Sequence, residues 1–307
     1  MTTISPMITV FTPTYNRAHT LHRVFMSLQN QSIKNFEWLV IDDGSTDNTE
    51  SLIEEFKEKA NFPIVYIKQE NQHKFLTIYK AAQLAGGEFF VSIDSDDSFE
   101  SDALEKMLLY WENAPKDTVF VSVLCKDEKG KVIGDRFPKS GLSTTIFDLR
   151  YKYKVKGDKW GMTKTKILKE IFTKSKINLG NLRNKGFIPE GVYQFYYDTL
   201  GMHFCINDPL RTYFRDFTDD ESLANLYYNN KNAFGLAENY KMFINIYADK
   251  KWKYPKVLFR NLIGYLVYSA KNNCKVNNVV VGVDDAFLKY LSFFIYLFKP
   301  MLKKVEN

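Results

Sequence analysis

Three carboxylates follow an apolar segment in "FFVSIDSDDSF", residues 89–99, where Asp94, Asp96 and Asp97 surround Ser95. Carboxylates are costly to bury without a partner. When one residue separates two of them at a strand end or tight turn, they can offer oxygens to one hard cation. A natural companion of such a cation is a diphosphate, whose leaving oxygens gain charge that the cation neutralises. The cluster therefore predicts a site for a divalent cation and a diphosphate.

Two further polar clusters follow apolar segments earlier in the chain, "TPTYNR" and "DDGSTD". Taken singly, each is typical of an ordinary turn or cap, because Asp, Asn, Ser and Gly favour those positions. In an open parallel sheet, however, ligands bind outside the carboxyl ends of the strands. Three polar endings of this kind therefore predict one shared site.

The elements that must position these clusters alternate along the first half of the chain. Strands are predicted at 7–13, 36–43, 63–69, 88–94 and 118–125, and helices at 18–29, 48–59, 74–85 and 102–113. Ser101 is the predicted N-cap of the fourth helix, and Asp47 with Glu50 predicts a capping box for the second. The alternation is typical of an α/β fold with a mostly parallel sheet.

The second half is less regular. Residues 126–187 predict short strands, loops and one helix near 163–174, and "HFCINDPLRTYF" (203–214) predicts a strand pair or a strand and loop. From about residue 222 onward the apolar spacing is helical.

Composition sets the class of protein. The chain has 307 residues, 45% of them hydrophobic, and its net charge of +6 is spread along its length, which does not favour nucleic acid as a partner. The three cysteines lie far apart without a CxxC pair, so neither a disulfide framework nor a structural zinc site is expected. No secretory signal and no run of about 18 uncharged apolar residues is apparent. We expect a cytoplasmic protein.

Other phosphate-binding motifs are not supported. The chain has no GxGxxG, and its GxxxxG, from Gly186 to Gly191, is followed by Val192 where a P-loop requires lysine.

The clusters also carry a family resemblance. "ITVFTPTYNRAHTLHRVFMSLQNQSIKNFEWLVIDDGSTDNT" followed by "GGEFFVSIDSDDSFESDAL" resembles the GT-A glycosyltransferases of family 2, an inverting group that uses nucleotide-diphosphate sugars. The resemblance is specific over residues 7–110 and thins beyond 125. It implies a GT-A fold, Rossmann-like with a mostly parallel central sheet flanked by helices. The implied division is a glycosyltransferase domain at 1–220, with a nucleotide-sugar half at 1–100 and an acceptor half at 101–220, and a helical region at 221–307.

The resemblance implies a set of donor contacts. Thr12, Pro13 and Tyr15 would line the base pocket, Tyr15 by stacking, and a carboxylate of Asp42 or Asp43 would accept a hydrogen bond from the base. That pattern suits the N3–H of uracil, so UDP is the expected carrier. The remaining implied contacts to the donor are Arg17, Lys74, Asp94, Ser95 and Asp96.

The metal assignment also follows from the resemblance. In the D-x-D motif, Asp94 would reach the ribose or a metal-bound water. Asp96 would be the main ligand of Mn²⁺ or Mg²⁺, with Asp97 in support. A late histidine serves as a ligand in some GT-A enzymes, but the spacing of His203 does not identify it as one.

The segment "NQHKFLTIYKAA" (71–82) departs from the family pattern. Gln72 stands where relatives often have glycine, and Tyr79 lies near the position of an asparagine. Lys74 fits either a contact to the diphosphate or a solvated helix start.

An inverting transfer needs one general base for the acceptor hydroxyl. Relatives place an acidic residue in the second half, and "NKGFIPEGVYQFYY" offers Glu190 between proline and glycine. Asp198 and Asp219 are the alternatives. The segment 216–226 resembles a loop that closes over the donor, and Arg211 and Arg215 nearby fit either phosphate contacts or surface ion pairs.

The last segment, residues 286–304, combines apolar side chains with lysines. A basic amphipathic helix of this kind can lie in the headgroup region of a membrane. Docking on the protein's own core or on a partner subunit explains the pattern equally well.

Together these features predict a bacterial-type, metal-dependent inverting glycosyltransferase of the hexosyltransferase type. It would move a sugar from a UDP-sugar to a hydroxyl of a glycan or lipid-linked acceptor in surface polysaccharide biosynthesis. One alternative is a sugar nucleotidyltransferase, which would be expected to have a glycine-rich basic loop after the first strand, whereas "TPTYNRAHT" contains no glycine. The other is a non-catalytic sugar-nucleotide or glycan-binding module.

Overall fold

A computed structural model describes residues 6–72, 74–175, 186–214 and 232–305. The described residues form two compact units. One comprises 6–175 with 200–214, and the other comprises 186–199 with 232–305.

The first unit is built on one sheet. Its strands are β1 (Ile8–Thr14), β2 (Phe36–Asp42), β3 (Ile64–Lys68), β4 (Phe89–Ser92), β5 (Ser98–Phe99), β6 (Thr118–Asp127), β7 (Leu142–Thr144), β8 (Lys159–Lys164) and β9 (Met202–Tyr213). They are arranged in the order β3-β2-β1-β4-β8-β6-β9-β5, with β7 paired to β9.

The pairing directions make this a mixed sheet. β1 is parallel to β2 and β4, and β2 is parallel to β3. β8 then lies antiparallel between β4 and β6, while β9 runs parallel to β6. The predicted α/β architecture is confirmed, but the parallel arrangement is continuous only in the group β3-β2-β1-β4. The carboxyl ends of these four strands share one edge.

The helices of this unit are α1 (Ala18–Gln29), α2 (Thr49–Lys59), α3 (Lys74–Leu84), α4 (Ala103–Glu112), α5 (Ile146–Tyr151) and α6 (Thr165–Lys174). On α1, Leu21, Val24 and Leu28 form a fully buried stripe at helical spacing. Phe25 stacks on Phe56 of α2 with ring centroids 4.1 Å apart. These residues share a core cluster with alternate residues of β1 and β2, which fixes the helices against the sheet.

Helix starts differ from the sequence prediction. The Asp47 carboxylate accepts hydrogen bonds from the backbone N–H of Thr49 (3.1 Å) and of Ala18 (3.0 Å), so it joins the starts of α2 and α1. Glu50 does not complete a capping box but pairs with Lys68 at 3.0 Å.

Three further local elements can be compared with their predictions. α4 has Asp102 rather than Ser101 at its N-cap position. The helix predicted near 163–174 is confirmed as α6, which begins at Thr165 because β8 continues to Lys164. The segment 203–214, predicted as a strand pair or as a strand and loop, is a single long strand, β9, which ends at Tyr213 and runs along β6.

The second unit is helical. Its elements are α7 (Gly191–Gln194), α8 (Tyr197–Leu200, ending at the unit boundary), α9 (Ala233–Ile246), α10 (Pro255–Lys271), α11 (Val276–Val281), α12 (Ala286–Tyr296) and α13 (Lys299–Leu302). Residues 186–199 group with the later helices rather than with the sheet. The predicted boundary at 220/221 lies outside the described residues, so that domain division stays a prediction.

Membrane-crossing segments were sought in both units. Within the described ranges, no helix combines the length and apolarity that crossing a bilayer requires.

Gly87, in the connection between α3 and β4, lies directly against the backbone of β1. A Cβ there would lie 2.4 Å from the backbone nitrogen of Thr9, whereas at the adjacent Gly86 it would meet the flexible Glu37 carboxylate at 3.2 Å. We expect Gly87→Ala to lower the free energy of unfolding by about 2–3 kcal/mol. Gly86→Ala should cost about 1 kcal/mol or less. Urea denaturation of both variants tests this, and equal losses would contradict the packing argument.

Candidate active site

The polar loops that follow β1 and β2 are hydrogen-bonded to each other. The backbone N–H of Asp43 donates to the carbonyl of Thr14 at 2.8 Å. Asn16 adopts a left-handed conformation with φ of 52°. Its N–H donates to Ser45 Oγ, and its side-chain oxygen accepts from the N–H of Thr46, each at 2.8 Å. The loops after β1 and β2 therefore form one hydrogen-bonded surface.

The predicted base-pocket residues do not all reach this surface. Thr12 is fully buried, and its Oγ1 accepts a hydrogen bond from Trp38 Nε1 at 2.9 Å. It continues the inward series of Ile8 and Val10, because alternate strand residues face the same side. Tyr15, in contrast, is 41% exposed beyond the strand end. Thr12 is therefore a core residue, and Tyr15 is available for stacking.

The two carboxylates after β2 have separate structural contacts. Asp42 is buried; one of its oxygens accepts from the N–H of Ser45 at 2.7 Å and the other from the Tyr66 hydroxyl at 2.6 Å. Asp43 Oδ1 accepts from Gln69 Nε2 at 2.8 Å and from the N–H of Gln72 at 2.9 Å. Asp42 is thus committed to holding its own loop. Asp43 is the stronger candidate for a base contact.

The third strand end forms an acidic corner, which we define as Asp94, Asp96 and Asp97 with the cations Lys74 and Arg211. Lys74 Nζ lies 2.7 Å from Asp94 Oδ1, and the Arg211 guanidinium donates to Asp94 Oδ2 at 2.7 Å. Arg211 Nε also donates to Asp97 Oδ2 at 2.7 Å. The start of α3 and the long strand β9 therefore meet at the end of β4.

Charges in the corner are strongly coupled. Burial alone would raise the pKa of Asp94, but the charges of Lys74 and Arg211 outweigh it and hold that pKa well below its usual range. For Asp97, burial prevails over the attraction of Arg211, and the neighbouring carboxylates add to it, so its pKa is raised to about 7. Both carboxylates pair with Arg211, but ionisation is more costly for Asp97 than for Asp94.

Asp96 has the properties that a cation ligand requires. It is half-buried, and within the described ranges its carboxylate takes part in no ion pair and accepts no hydrogen bond from another residue. Burial and the charge of Asp94 raise its pKa, while Arg17 acts in the opposite direction. A bound Mn²⁺ or Mg²⁺ would compensate this charge, and an ion that keeps several waters needs few protein ligands.

Asp97 does not fit the predicted supporting role. It is completely buried, and Arg211 and the backbone N–H of Phe214 (3.1 Å) occupy its oxygens. In the described part of the chain, no group of three or more His, Cys, Asp or Glu residues is arranged to hold a metal ion. A cation at this edge would therefore depend on Asp96 and on ligands from the substrate and water.

The remaining predicted donor contacts lie around the corner. Lys74 lies at the acidic corner, while Ser95 is buried and Arg17 is half-buried. Tyr79 packs edge-on against Phe172 at 5.3 Å and so joins α3 to α6. Arg215 and the segment 216–226 lie outside the described residues.

Glu190 belongs to the helical unit. It precedes α7, and its Oε2 accepts a hydrogen bond from Gln194 Nε2 at 2.9 Å. A Cβ on Gly191 would lie 2.3 Å from Asn239 Oδ1 and 2.8 Å from Phe195 Cζ, so a larger residue there would force both side chains to shift. The alternative base Asp198 accepts from the Tyr247 hydroxyl at 2.7 Å, and Asp219 lies outside the described residues.

His203 is part of the sheet interior. It is buried on β9, its Nδ1 lies 3.2 Å from Ser122 Oγ, and its ring lies 5.0 Å from that of Phe120. Burial lowers its pKa to about 3. These contacts support a packing role and not metal ligation.

Sequence reasoning missed several residues that shape the site. Tyr66 fixes Asp42, and Arg23 donates to the carbonyl of Asp96 at 3.3 Å while covering the Phe214 ring at 4.5 Å. Tyr66 is a polar aromatic in a parallel strand beside an acidic loop, which is a usable signal. Nothing in the local sequence of Arg23 marks its contact with a residue 73 positions away.

Solved structures show the class of fold. S. aureus TarS 1–349 in complex with UDP-GlcNAc gives a TM-score of 0.56 at 16% identity, over 95% of this chain and 88% of that chain. The mannosyltransferase PcManGT from Pyrobaculum calidifontis, in complex with GDP-Man and Mn²⁺, gives a TM-score of 0.53 at 15% identity. The match covers 98% of this chain and 86% of that chain. The chain has the GT-A fold of glycosyltransferases.

Sequence comparison shows the family. The model of glycosyl transferase family 2 matches residues 9–172, so this chain belongs to that family. The putative teichuronic acid biosynthesis glycosyltransferase TuaG of Bacillus subtilis is 32% identical over 109 residues, 35% of this chain and 43% of that protein. The GalNAc(5)-diNAcBac-PP-undecaprenol beta-1,3-glucosyltransferase of Campylobacter jejuni is 32% identical over 139 residues, which are 45% of this chain and 44% of that protein. The matched part spans less than half the length of each relative.

The buried neutral His203 predicts a loss of stability in acid. Its pKa in the unfolded chain is near 6.5, against about 3 in the folded protein. Below pH 6.5 the unfolded state therefore binds a proton that the folded state does not, and the free energy of unfolding falls as pH decreases toward 3. Between pH 7 and 5 we expect His203 to account for a loss of about 2 kcal/mol.

Urea denaturation at pH 7 and pH 5 measures this effect. His203→Gln should remove that part of the pH dependence, whereas His22→Gln, at an exposed position, should retain it. Parallel pH profiles for the native chain and His203→Gln would contradict the buried neutral state.

Proposed function

We propose that this protein transfers a sugar from a UDP-sugar to a hydroxyl of a glycan or lipid-linked acceptor in surface polysaccharide synthesis, with inversion at the sugar carbon. The observation that carries the proposal is the acidic corner at the carboxyl end of β4, where Asp96 is left for a cation while Lys74 is held by Asp94. Membership of glycosyl transferase family 2 supports the reaction class.

The donor would lie across the bonded strand ends. Tyr15 offers an exposed ring for stacking on the base, and Asp43 stands at the adjoining loop. UDP is the proposed carrier because a carboxylate acceptor suits the N3–H of uracil. The complexes of relatives with UDP-GlcNAc and with GDP-Man support a nucleotide-sugar donor of either base.

The diphosphate would lie against the corner. Lys74 Nζ would donate to a phosphate oxygen, and Arg211 would keep Asp94 and Asp97 in place behind it. Asp96 is the residue that would hold Mn²⁺ or Mg²⁺. Such an ion, when bound, supplies charge neutralisation for the leaving nucleoside diphosphate.

The acceptor needs a general base, for which we propose Glu190. Its carboxylate would take the proton of the acceptor hydroxyl while that oxygen bonds to the sugar carbon. The bond to the nucleoside diphosphate breaks on the opposite side, which inverts the carbon. Gln194 orients the carboxylate through its 2.9 Å hydrogen bond.

Location follows from the proposed acceptor. The names of the B. subtilis and C. jejuni relatives refer to teichuronic acid and to an undecaprenol-linked glycan. For this chain we propose work on the cytoplasmic side, with peripheral contact to the inner face of the cell membrane through the C-terminal helices.

The metal assignment predicts a specific loss of donor binding. Asp96→Asn should weaken UDP binding about 100-fold in the presence of Mn²⁺, because a neutral amide is a poorer ligand for a hard cation. Without metal, the variant and the native chain should bind UDP alike. The exposed Asp158→Asn in the same unit is the matched control. Calorimetry with UDP and GDP, with and without Mn²⁺, measures base choice and metal dependence together. Unchanged Mn²⁺-dependent binding in Asp96→Asn would rule out this ligand.

The base assignment predicts loss of transfer without loss of binding. Glu190→Gln should slow sugar transfer about 1,000-fold, because an amide cannot accept the proton. UDP binding should be unchanged. Asp198→Asn, which removes the alternative carboxylate, should retain most activity once its folding has been checked by circular dichroism. Full activity in Glu190→Gln would exclude Glu190. Binding of UDP by the native chain with no turnover would favour the non-catalytic module.

A further inference from the structure

The last two helices expose a continuous apolar stripe. Phe287, Tyr290 and Phe294 recur at helical spacing along α12, and Phe298 and Met301 extend the series through α13. The opposite side of α12 is buried through Leu288, Ser292 and Tyr296. The stripe is therefore the outward side of a docked helix and not an unfolded tail.

A separate segment joins this stripe. Trp252, in the turn before α10, is 72% exposed, and its ring lies 5.3 Å from that of Phe287. The rings of Tyr290 and Phe294 lie 4.5 Å apart, and Phe294 also lines a surface groove. That groove is lined by Phe294, Ile295, Phe298, Met301 and Leu302. We call Trp252, Phe287, Tyr290, Phe294, Phe298 and Met301, which are 43–72% exposed, the aromatic face.

The segment that carries the aromatic face is strongly basic. Residues 232–305 contain 12 Lys and Arg against 4 Asp and Glu, so their net charge of +8 exceeds the +6 of the whole chain. Lys253 and Lys256 are exposed beside Trp252, and Lys303 and Lys304 are exposed after Met301. Both ends of the aromatic face are therefore bordered by lysines.

The combination indicates which partner fits. Tryptophan, tyrosine and phenylalanine with flanking lysines suit a boundary where acyl chains meet charged headgroups. A second copy of the chain would bring another +8 against the same surface, which opposes self-association. Anionic headgroups, in contrast, complement the lysines while the rings enter the acyl boundary.

We propose that the aromatic face binds the surface of an anionic lipid bilayer, with Trp252, Phe298, Met301 and the rings of α12 inserted and the four lysines on the headgroups. This deepens the membrane contact in the proposed function, and it assigns the contact to two segments rather than to the C-terminal helix alone. Lipid binding requires neither nucleotide nor acceptor.

Flotation with phosphatidylcholine vesicles, with and without phosphatidylglycerol, tests the proposal. We expect binding to the anionic vesicles, weakened by salt, with a blue shift of tryptophan emission as Trp252 leaves water. Trp252→Ser with Phe298→Ser should weaken binding at least about tenfold. The matched control is Leu84→Ser with Leu109→Ser, two exposed leucines of the sheet unit.

Charge reversal provides the second arm. Lys303→Glu with Lys304→Glu should weaken binding to anionic vesicles about tenfold or more. Lys129→Glu with Lys131→Glu, at exposed positions of the sheet unit, changes the net charge equally and should leave binding nearly intact.

Three results would overturn the proposal. These are equal binding by the aromatic-face variants and their controls, equal affinity for neutral and anionic vesicles, and a dimer by light scattering that the Trp252→Ser and Phe298→Ser substitutions dissociate. UDP calorimetry on the same variants keeps this test apart from the proposed function. Lost vesicle binding with retained UDP binding supports the membrane face. Lost UDP binding with retained vesicle binding would contradict the proposed donor site and leave the membrane face supported.

Discussion

The ion pair between Arg211 and the buried Asp97 is the interaction on which the donor edge depends. Asp97 has no access to solvent, and a buried carboxylate without a counter-charge is strongly destabilising. Arg211 supplies that charge from β9 and also reaches Asp94, which is the partner of Lys74. A structural requirement of the sheet is thereby linked to the cation that faces the proposed diphosphate. Asp96 lies outside this pairing, which is why we propose it as the ligand of a cation.

Local patterns in the sequence were sufficient for the parallel half of the fold. The first four strands and helices lie within about two residues of their predicted bounds, because each repeats a short periodic pattern between clear turn residues. The edge that carries the site followed from the same reasoning. The positions of β8 and β9 did not, since their pairing is decided by contacts between residues far apart in the chain. Arg211 and Asp94, for example, are 117 residues apart.

Side-chain roles were harder to predict than element positions. Thr12 belongs to a motif at a strand end, but the alternation of the strand turns it toward Trp38. Asp42 and Asp43 are adjacent and chemically identical, yet Tyr66 and Ser45 engage the first, whereas Gln69 and Gln72 engage the second. A motif gives the residue types at an edge, whereas packing decides which of them remain available. Such decisions depend on neighbours that one-dimensional spacing does not reveal.

The sheet unit is discontinuous in sequence, which determines how the protein can be divided into fragments. The sheet unit is interrupted after residue 175 and resumes at 200 with β9, and residues 186–199 belong to the helical unit. A fragment ending at 175 would lack β9 and leave Asp97 buried without its arginine. A dissected sheet unit must therefore retain residues 200–214, which carry β9 and Arg211, to preserve the acidic corner. During synthesis, likewise, the donor edge can fold completely only after Arg211 has left the ribosomal exit tunnel.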